Sequence, residues 1–434
     1  MGASPTDAGG HDRGAVGGAP SRPAAPVPDE TGTPPVTVLH IITGLNTGGA
    51  ETMLAKLVGH PASRRHGLRH EVLSLLTPGP IAERIRAANV PVHTLRMHRS
   101  LPGAMSMARL ASVVRAVRPA ILQGWMHHGN LAASIGAWLH SGLQPGGRTG
   151  RPVVAWNVRH SLADIDVEPR FTRAILRLQA RTSRHPAAII YNSRVAAAQY
   201  AAIGFDAGRA MVIPNGFDCT AFAPDAGARG RLRTIFGIRG SAAVVGMVAR
   251  NHPMKSVENL VGAVAAARKA GHDLHLLLVG KGMDIKSPAL VAALALLPTD
   301  RQTVSGERSD VARWLPGVDI VALPSSWGEA FPNILGEAMA CGVPCVTTDV
   351  GDSGWVVGST GLVVPPGDIA ALARAIGRLD RLGADGRRVL GRAARARVAG
   401  EFSIESSAQS YAGLYVREAG KRWGERGVDL AGAA

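Results

Sequence analysis

Short β-branched runs alternate with longer helical stretches along this chain, and the scheme is run through twice. That alternation restricts the fold to parallel sheets covered by helices. In the first pass Val36-Thr37-Val38-Leu39-His40-Ile41-Ile42 reads as a buried strand, and it leads into a glycine-bearing turn over residues 43–51 and then a helix. Further strands are predicted over 70–75, 120–122, 153–156 and 188–191. The second pass restarts with a strand over 243–248, a helix over 257–270 and a strand over 274–279 ending in Gly280-Lys281-Gly282. Strands over 320–323, 344–347 and 361–364 complete it. Two doubly wound α/β units in tandem turn the C-terminal ends of their strands towards a shared cleft, where open α/β sheets take their ligands.

A length of 434 residues suits two such units better than one. The expected division is a disordered lead-in over 1–35, a first α/β domain over 36–210, a linker over 211–240, a second α/β domain over 241–402, and a closing segment over 403–434. The lead-in is rich in Gly, Ala, Pro, Ser and Thr and lacks the apolar core of a signal peptide. The linker contains Ile213-Pro214-Asn215-Gly216-Phe217-Asp218. The closing segment is helical in pattern to Trp423, with Tyr411 and Tyr415 four residues apart, and its last residues are expected to fray. No run of about 18 uncharged apolar residues marks a membrane-spanning helix.

Three cysteines exclude a disulfide framework. Cys341 and Cys345 lie in Ala-Cys-Gly-Val-Pro-Cys with no second His/Cys cluster nearby, so they read as small core residues in a reducing compartment rather than zinc ligands. The net charge of +16 is unevenly spread: residues 36–210 carry 21 Lys/Arg against 7 Asp/Glu, and residues 211–434 carry 25 against 21. The basic excess therefore belongs to the first half. Within it Arg170, Arg173, Arg177, Arg181 and Arg184 recur at three- and four-residue steps, which places them on one face of a helix, with Phe171, Ile175 and Leu178 on another. Such a face suits an anionic lipid surface or a lipid-diphosphate acceptor, or equally a solvated arginine-rich face. No nucleic-acid-binding module accompanies it.

The segment richest in chemistry runs from Leu323 to Pro344. A buried strand leads into a loop carrying Glu329, a helix begins near Pro332, where the missing N–H is not needed, and Gly342 stands where that helix should stop. Glu337 falls in the second helical turn. Between the two carboxylates the helix start presents free N–H groups and partial positive charge, a seat for a diphosphate. The same residues would also serve as a plain helix start with an acidic first turn.

Glu329, seven residues, Glu337, then Ala338-Met339-Ala340-Cys341-Gly342-Val343-Pro344 and Val364-Pro365-Pro366-Gly367-Asp368, resembles family 4 glycosyltransferases of the GT-B fold. The resemblance extends over most of the chain through Gly48-Gly49-Ala50-Glu51, Trp125-Met126-His127-His128-Gly129-Asn130-Leu131, the Asn215 segment, and Val245-Gly246-Met247-Val248-Ala249-Arg250 with Lys255 behind it. It implies two Rossmann-like domains facing a central cleft, and a retaining, metal-independent transfer of a sugar from a nucleoside diphosphate of UDP or GDP type. No cofactor is implied beyond that co-substrate. The acceptor would be a saccharide or lipid-linked molecule, the setting polysaccharide or glycolipid synthesis in the cytoplasm or on the inner face of a membrane.

By position, Glu329 would bind donor-sugar hydroxyls, Glu337 the ribose, and Arg250 and Lys255 the phosphates, where fixed cations stabilise the departing diphosphate. His128 would lie near the reacting sugar, and His127 would pack. Gly48 and Gly49 would let the backbone approach the phosphates. Gly306 and Arg308 belong to a loop resembling the base-contacting one, with Asp310 as the next helix's N-cap. Ala330, Phe331, Asn333 and Leu335 would complete the donor contacts. Arg159 is open between an acceptor phosphate and an ion pair with Asp164 or Asp166. The chain departs from the family pattern in having Ser256 after Lys255 and Asn251-His252-Pro253-Met254 after Arg250. An epimerase of the same architecture and a non-catalytic sugar-nucleotide-binding protein are the competing readings. A nicotinamide-dependent dehydrogenase fits least, since the glycine turn lacks the full dinucleotide fingerprint.

Overall fold

Seven parallel strands build the first sheet: β1 (Val36–Ile42), β2 (Leu68–Ser74), β3 (Val92–Thr94), β4 (Ile121–Trp125), β5 (Val153–Val158), β6 (Ala188–Tyr191) and β7 (Ala210–Val212), in the order β3-β2-β1-β4-β5-β6-β7. Six more build the second: β8 (Ala243–Val248), β9 (Leu274–Val279), β10 (Gln302–Ser305), β11 (Ile320–Leu323), β12 (Cys345–Thr348) and β13 (Leu362–Val364), in the order β10-β9-β8-β11-β12-β13. This computed structural model describes residues 36–97, 103–142, 151–162, 164–284 and 287–424. The expected lead-in and frayed end lie outside them.

Both sheets reverse strand order beside their first strand, between β1 and β4 and between β8 and β11. Those two points open crevices at the C-terminal strand ends. Register places the ends of β1, β2 and β4 level, with Ile42 opposite both Ser74 and Trp125. The strands β4 and β9 are buried along their whole length, which accounts for their mostly apolar character, interrupted by Gln123 in β4 and His275 in β9. Three strands escape the sequence reading: β3, β7 and β10. Each has three or four residues, none of them fully buried, and each lies at a sheet edge. A short edge strand is covered on neither side well enough to leave a hydrophobic pattern. β7 also straddles the boundary drawn at 210/211.

The closing helix, Ile404–Gly424, packs into the core of the first sheet. Tyr411 and Tyr415 are both buried there. Asn157 donates to the Tyr411 hydroxyl at 2.8 Å, and the Tyr415 hydroxyl donates to Gln123 at 3.3 Å. The crossing is pinned where Phe217 N–H donates to the Phe402 carbonyl and Ile404 N–H to the Phe217 carbonyl, at 2.8 and 2.9 Å.

Beneath the closing helix lies a directional chain of neutral histidines. The Trp125 indole N–H donates to His40 Nδ1 at 3.1 Å, so His40 carries its proton on Nε2 and donates to His70 Nδ1 at 2.9 Å. His70 in turn donates from Nε2 to the Ser63 carbonyl at 2.7 Å. Burial holds His40 well below the usual histidine range and lowers His70 to about 4. Cys341 and Cys345 are buried, and burial pushes the Cys341 thiol up to about 12, in keeping with packing rather than reactivity. No helix of the described residues is long and apolar enough to cross a membrane.

Candidate functional site

Glu329 and Lys255 come together where β8 and β11 end. Lys255 closes a 3₁₀ turn, Pro253–Lys255, after β8, and Glu329 sits in the loop after β11. The two loops are stitched by Ser326 N–H donating to the Met254 carbonyl at 2.8 Å and by a hydroxyl–hydroxyl contact between Ser256 and Ser326. Lys255 Nζ donates to Glu329 Oε1, and Ser325 Oγ donates to the same oxygen at 2.5 Å. Glu329 is only 6% exposed, so its charge is tolerable because it is both paired and hydrogen-bonded. The ammonium has three protons and uses one on Glu329, leaving donors for a ligand. Arg250 is exposed at the end of β8, and its guanidinium touches only the Met254 sulfur, at 3.8 Å, with no acidic partner among the described residues.

Beside this pair two helix starts meet. The helix Asn333–Ala340 begins after Pro332 with no side-chain cap. It stops at Gly342, whose φ of +73° lets Val343 N–H reach back to the Ala338 carbonyl at 2.9 Å. From the first half, the helix Gly49–Gly59 begins after Gly48, again with no side-chain cap. A Cβ added to Gly49 would lie 3.8 Å from the Asn333 carboxamide nitrogen. Both starts therefore offer unspent N–H groups and partial positive charge to one small region. The Glu51 carboxylate folds back over Gly48, and burial pushes it above the ordinary carboxylate range. Glu337, one turn along, faces Lys56 of the first half at 3.8 Å. Burial raises the Glu337 carboxyl, and Lys56 opposes that rise.

On the first sheet, β4 runs directly into the helix Met126–Gly142. Met126 has a φ of +61° at this junction. Asn130 clamps β5 from there, accepting from Asn157 N–H at 3.0 Å and donating to the Asn157 carbonyl at 3.3 Å. His128 is half-buried, stacks on Phe171 with ring centres 5.9 Å apart, and is pushed below the usual histidine range by burial. His127 is buried between Tyr200 and His160, where burial first and the neighbouring histidines next lower it to about 4.

Arg159 forms neither of the carboxylate pairs left open by the sequence: Asp166 pairs with Arg173 at 2.9 Å, and Asp164 caps its own turn. Arg159 instead donates to Tyr411, Asn157 and Asn215 and lies 5.3 Å from the Trp125 ring centre. Asn215 is the hub of this network. Its carbonyl oxygen accepts from Arg159 and Asn192, and its nitrogen donates to Asn333 Oδ1 at 2.6 Å and to the Phe331 carbonyl at 3.3 Å.

The remaining expected residues differ in what they expose. Leu335 is fully buried, and Phe331 is locked in an aromatic cluster with Phe217, Trp355 and Phe402, so neither side chain is available to a donor. A helix turns 100° per residue, which sends Leu335 away from the face shared by Asn333 and Glu337. Asp310 stands at an N-cap position without making the cap bond, because Arg308 holds both its oxygens at 2.8 Å. Gly306 packs against the Gly280 turn, whose N–H donates to its carbonyl at 3.2 Å. Ala330 is half-buried, and its carbonyl accepts from Asp352 N–H at 2.9 Å. Of the predicted basic face, Arg170, Arg177 and Arg181 are exposed on the helix Arg170–Thr182, while Arg173 is engaged by Asp166. Lys56, Asn215, Asp352 and the exposed Trp327, two residues before Glu329, are additions that the sequence reading misses. Two of them carried a signal beforehand: Asn215 lies in one of the motifs that carry the resemblance, and Trp327 is a large aromatic within a loop of Gly and Ser.

Among the described residues no group of three or more His, Cys, Asp or Glu side chains is placed to hold a metal ion. Residues 47–221 match the family model for Glycosyltransferase Family 4, and residues 242–381 match that for Glycosyl transferases group 1. The D-inositol 3-phosphate glycosyltransferase of Mycobacterium marinum is 33% identical over 223 residues, covering 50% of this chain and 46% of that protein. The protein of the same name from Mycobacteroides abscessus is 35% identical over 239 residues, covering 53% and 51%. The chain thus spans about half the length of the curated relatives it matches. Among solved structures, Anabaena HepE in complex with UDP superposes with a TM-score of 0.72 at 20% identity, over 88% of this chain and 100% of that one. Sucrose-phosphate synthase from Thermosynechococcus elongatus gives 0.66 at 22%, over 88% and 98%. At such identities the likeness speaks for architecture, and it agrees with two parallel sheets facing a cleft. With a family model matched on each half and that architecture around them, the chain belongs to the group 1, family 4 glycosyltransferases of the GT-B fold.

Proposed function

We propose that the chain moves a sugar from a nucleoside diphosphate donor to a hydroxyl of a saccharide, phosphorylated polyol or lipid-linked acceptor, with retention at the anomeric carbon. The observation that carries this reading is the buried Lys255–Glu329 pair beside unpaired Arg250 and two adjacent uncapped helix starts. Glu329 accepts from sugar hydroxyls while Lys255, Arg250 and the helix starts hold the diphosphate. As the sugar–phosphate bond breaks, negative charge grows on the departing oxygen, where these fixed cations and N–H groups stabilise it. That oxygen takes the proton of the incoming hydroxyl from the same face, so no protein nucleophile is needed. His128, held neutral by burial, is available for a hydrogen bond to the reacting sugar. Glu337 takes the ribose hydroxyls, with Lys56 as its neighbour.

A UDP donor is supported by HepE, solved with UDP and with UDP-glucose. A phosphorylated polyol is supported by the name of the curated relatives and by the basic first half, in which Arg159 has no carboxylate partner among the described residues. UDP-, GDP- and ADP-sugars should be compared for thermal stabilisation of the protein. A matching donor at 100 times its dissociation constant should add about 2.7 kcal/mol, and a UDP-sugar is expected to do so. Stabilisation by none of the three classes would dismiss the donor site.

The helix Arg170–Thr182 also presents Phe171 and Leu178, 53% and 47% exposed, beside Arg170, Arg177 and Arg181. We read this face as a peripheral contact with the inner, anionic leaflet of a membrane, each arginine contributing about 1 kcal/mol near the surface. Flotation with phosphatidylserine vesicles tests it: Arg170, Arg177 and Arg181 changed together to Glu should leave the protein unbound, and undiminished flotation refutes the membrane role.

A further inference from the structure

A cavity of about 420 Å³ lies where the chain passes between the first and second halves and the closing helix returns, a place we call the hinge; neither Lys255 nor Glu329 lines it. Its walls come from both halves of the molecule: Arg194 and Pro214 from the first, Trp355 and Phe402 from the second, and Ser406 and Ser410 from the closing helix. A volume of this size falls within the range that small-molecule sites occupy.

Arg194 is held in place and chemically unspent. Its backbone N–H donates to Asp352 at 2.5 Å, with the next N–H, of Val195, 3.3 Å from the other Asp352 oxygen. Its guanidinium lies 3.8 Å above the Trp355 ring. Yet that guanidinium makes no hydrogen bond and no ion pair to any described residue. Stacking leaves the in-plane N–H edges free, and a planar guanidinium oriented this way is a ready fork for a phosphate. Glu401, also on the wall, is paired with Arg397 at 2.6 Å, so it does not cancel the Arg194 charge. Of the lining serines, Ser407 and Ser410 donate to the Pro214 and Ser406 carbonyls, whereas the Ser406 hydroxyl has no partner among the described residues. Their hydroxyl oxygens still accept.

We propose that this hinge cavity binds a phosphomonoester of a small polyol, such as a hexose monophosphate, with the phosphate on Arg194 and the polyol hydroxyls against the serines. The site stands apart from the donor machinery and does not depend on the reaction proposed above. It is nevertheless coupled to it. Trp355 packs edge-on against Phe331 at 5.5 Å, and Phe331 follows Glu329 by two residues. Asp352, which holds Arg194, also donates its N–H to the Ala330 carbonyl. A ligand gripping both halves favours whichever arrangement of them it fits, and by linkage it shifts donor affinity in the same measure.

Calorimetric titration of the full chain with glucose 6-phosphate and with inorganic phosphate, no donor present, tests this directly. Glucose 6-phosphate is expected to bind more tightly than inorganic phosphate. Arg194→Gln should weaken it at least about tenfold, and Ser406→Ala should narrow the gap between the two ligands. A Lys255→Met/Glu329→Gln variant should bind it unchanged, which separates this cavity from the donor site whatever reaction the latter performs. Equal affinity for the two ligands, an Arg194→Gln variant that binds as wild type, or loss of binding in the Lys255/Glu329 variant would each overturn the proposal.

Discussion

Lys255→Met is expected to lower sugar transfer by about two to three orders of magnitude, the usual effect of removing one preorganised charge that faces a departing anion. The variant carries a second consequence. Without the ammonium, the buried Glu329 carboxylate keeps only the Ser325 hydroxyl, and breaking a buried ion pair costs about 3–5 kcal/mol. Activity and stability should therefore fall together, which leaves two explanations entangled. The double variant Lys255→Met/Glu329→Gln separates them. With both charges gone, no unpaired ion is left, so the unfolding midpoint should recover towards wild type while transfer stays absent. Near wild-type turnover by the double variant would remove the pair from the chemistry altogether.

Gly351→Ala should produce the next largest effect, without removing a single polar group. Gly351 has a φ of +59°, and a Cβ built there would overlap the carbonyl oxygen of Glu329. The left-handed backbone costs an alanine about 1–2 kcal/mol, and the overlap adds about 1–3 kcal/mol of the kind seen when a packed core is overfilled. Relief requires the Glu329 loop to lift away from the segment behind it. That displacement carries Glu329 off Lys255 and Ser325, and a misplacement of about 1 Å at a reacting centre is worth on the order of 100-fold in rate. Loss of turnover in a variant that still folds, measured by steady-state transfer alongside thermal unfolding, is the expected result. Normal turnover in the Gly351→Ala variant would mean that the position of the loop does not matter.

What could be read in advance follows from where the information lies. β1, β8 and β9 are covered on both faces, so apart from Thr37, His40 and His275 their residues are apolar or glycine, and the strands are plain in the sequence. β3, β7 and β10 sit at edges, where coverage is partial and the pattern dissolves. The loop–helix unit around Glu329 is local: a proline at its start and Gly342 at its end are visible in a row of letters. The partners of its side chains are not. Lys255 reaches Glu329 across 74 positions, and Lys56 reaches Glu337 only because two halves of the chain face each other. Asp310 shows the opposite failure, in which a good local rule is beaten by a better local competitor, the bidentate Arg308 two residues before it. Leu335, whose side chain is buried, could meet a donor only through its backbone, because the helix turns its side chain away from the face shared by Asn333 and Glu337.

The helix Ile404–Gly424 belongs to the core of the first sheet although it is made after the second. During synthesis β1 and β2 emerge early, but Tyr411 and Tyr415, which cover them and hydrogen-bond to Asn157 and Gln123, emerge only after the whole second sheet has left the ribosome. The first half must therefore wait, with an apolar face and two polar side chains uncovered, while the second half folds as a unit ahead of it. A fragment ending near residue 240 should be prone to aggregate, and adding residues 404–424 back as a peptide should rescue it.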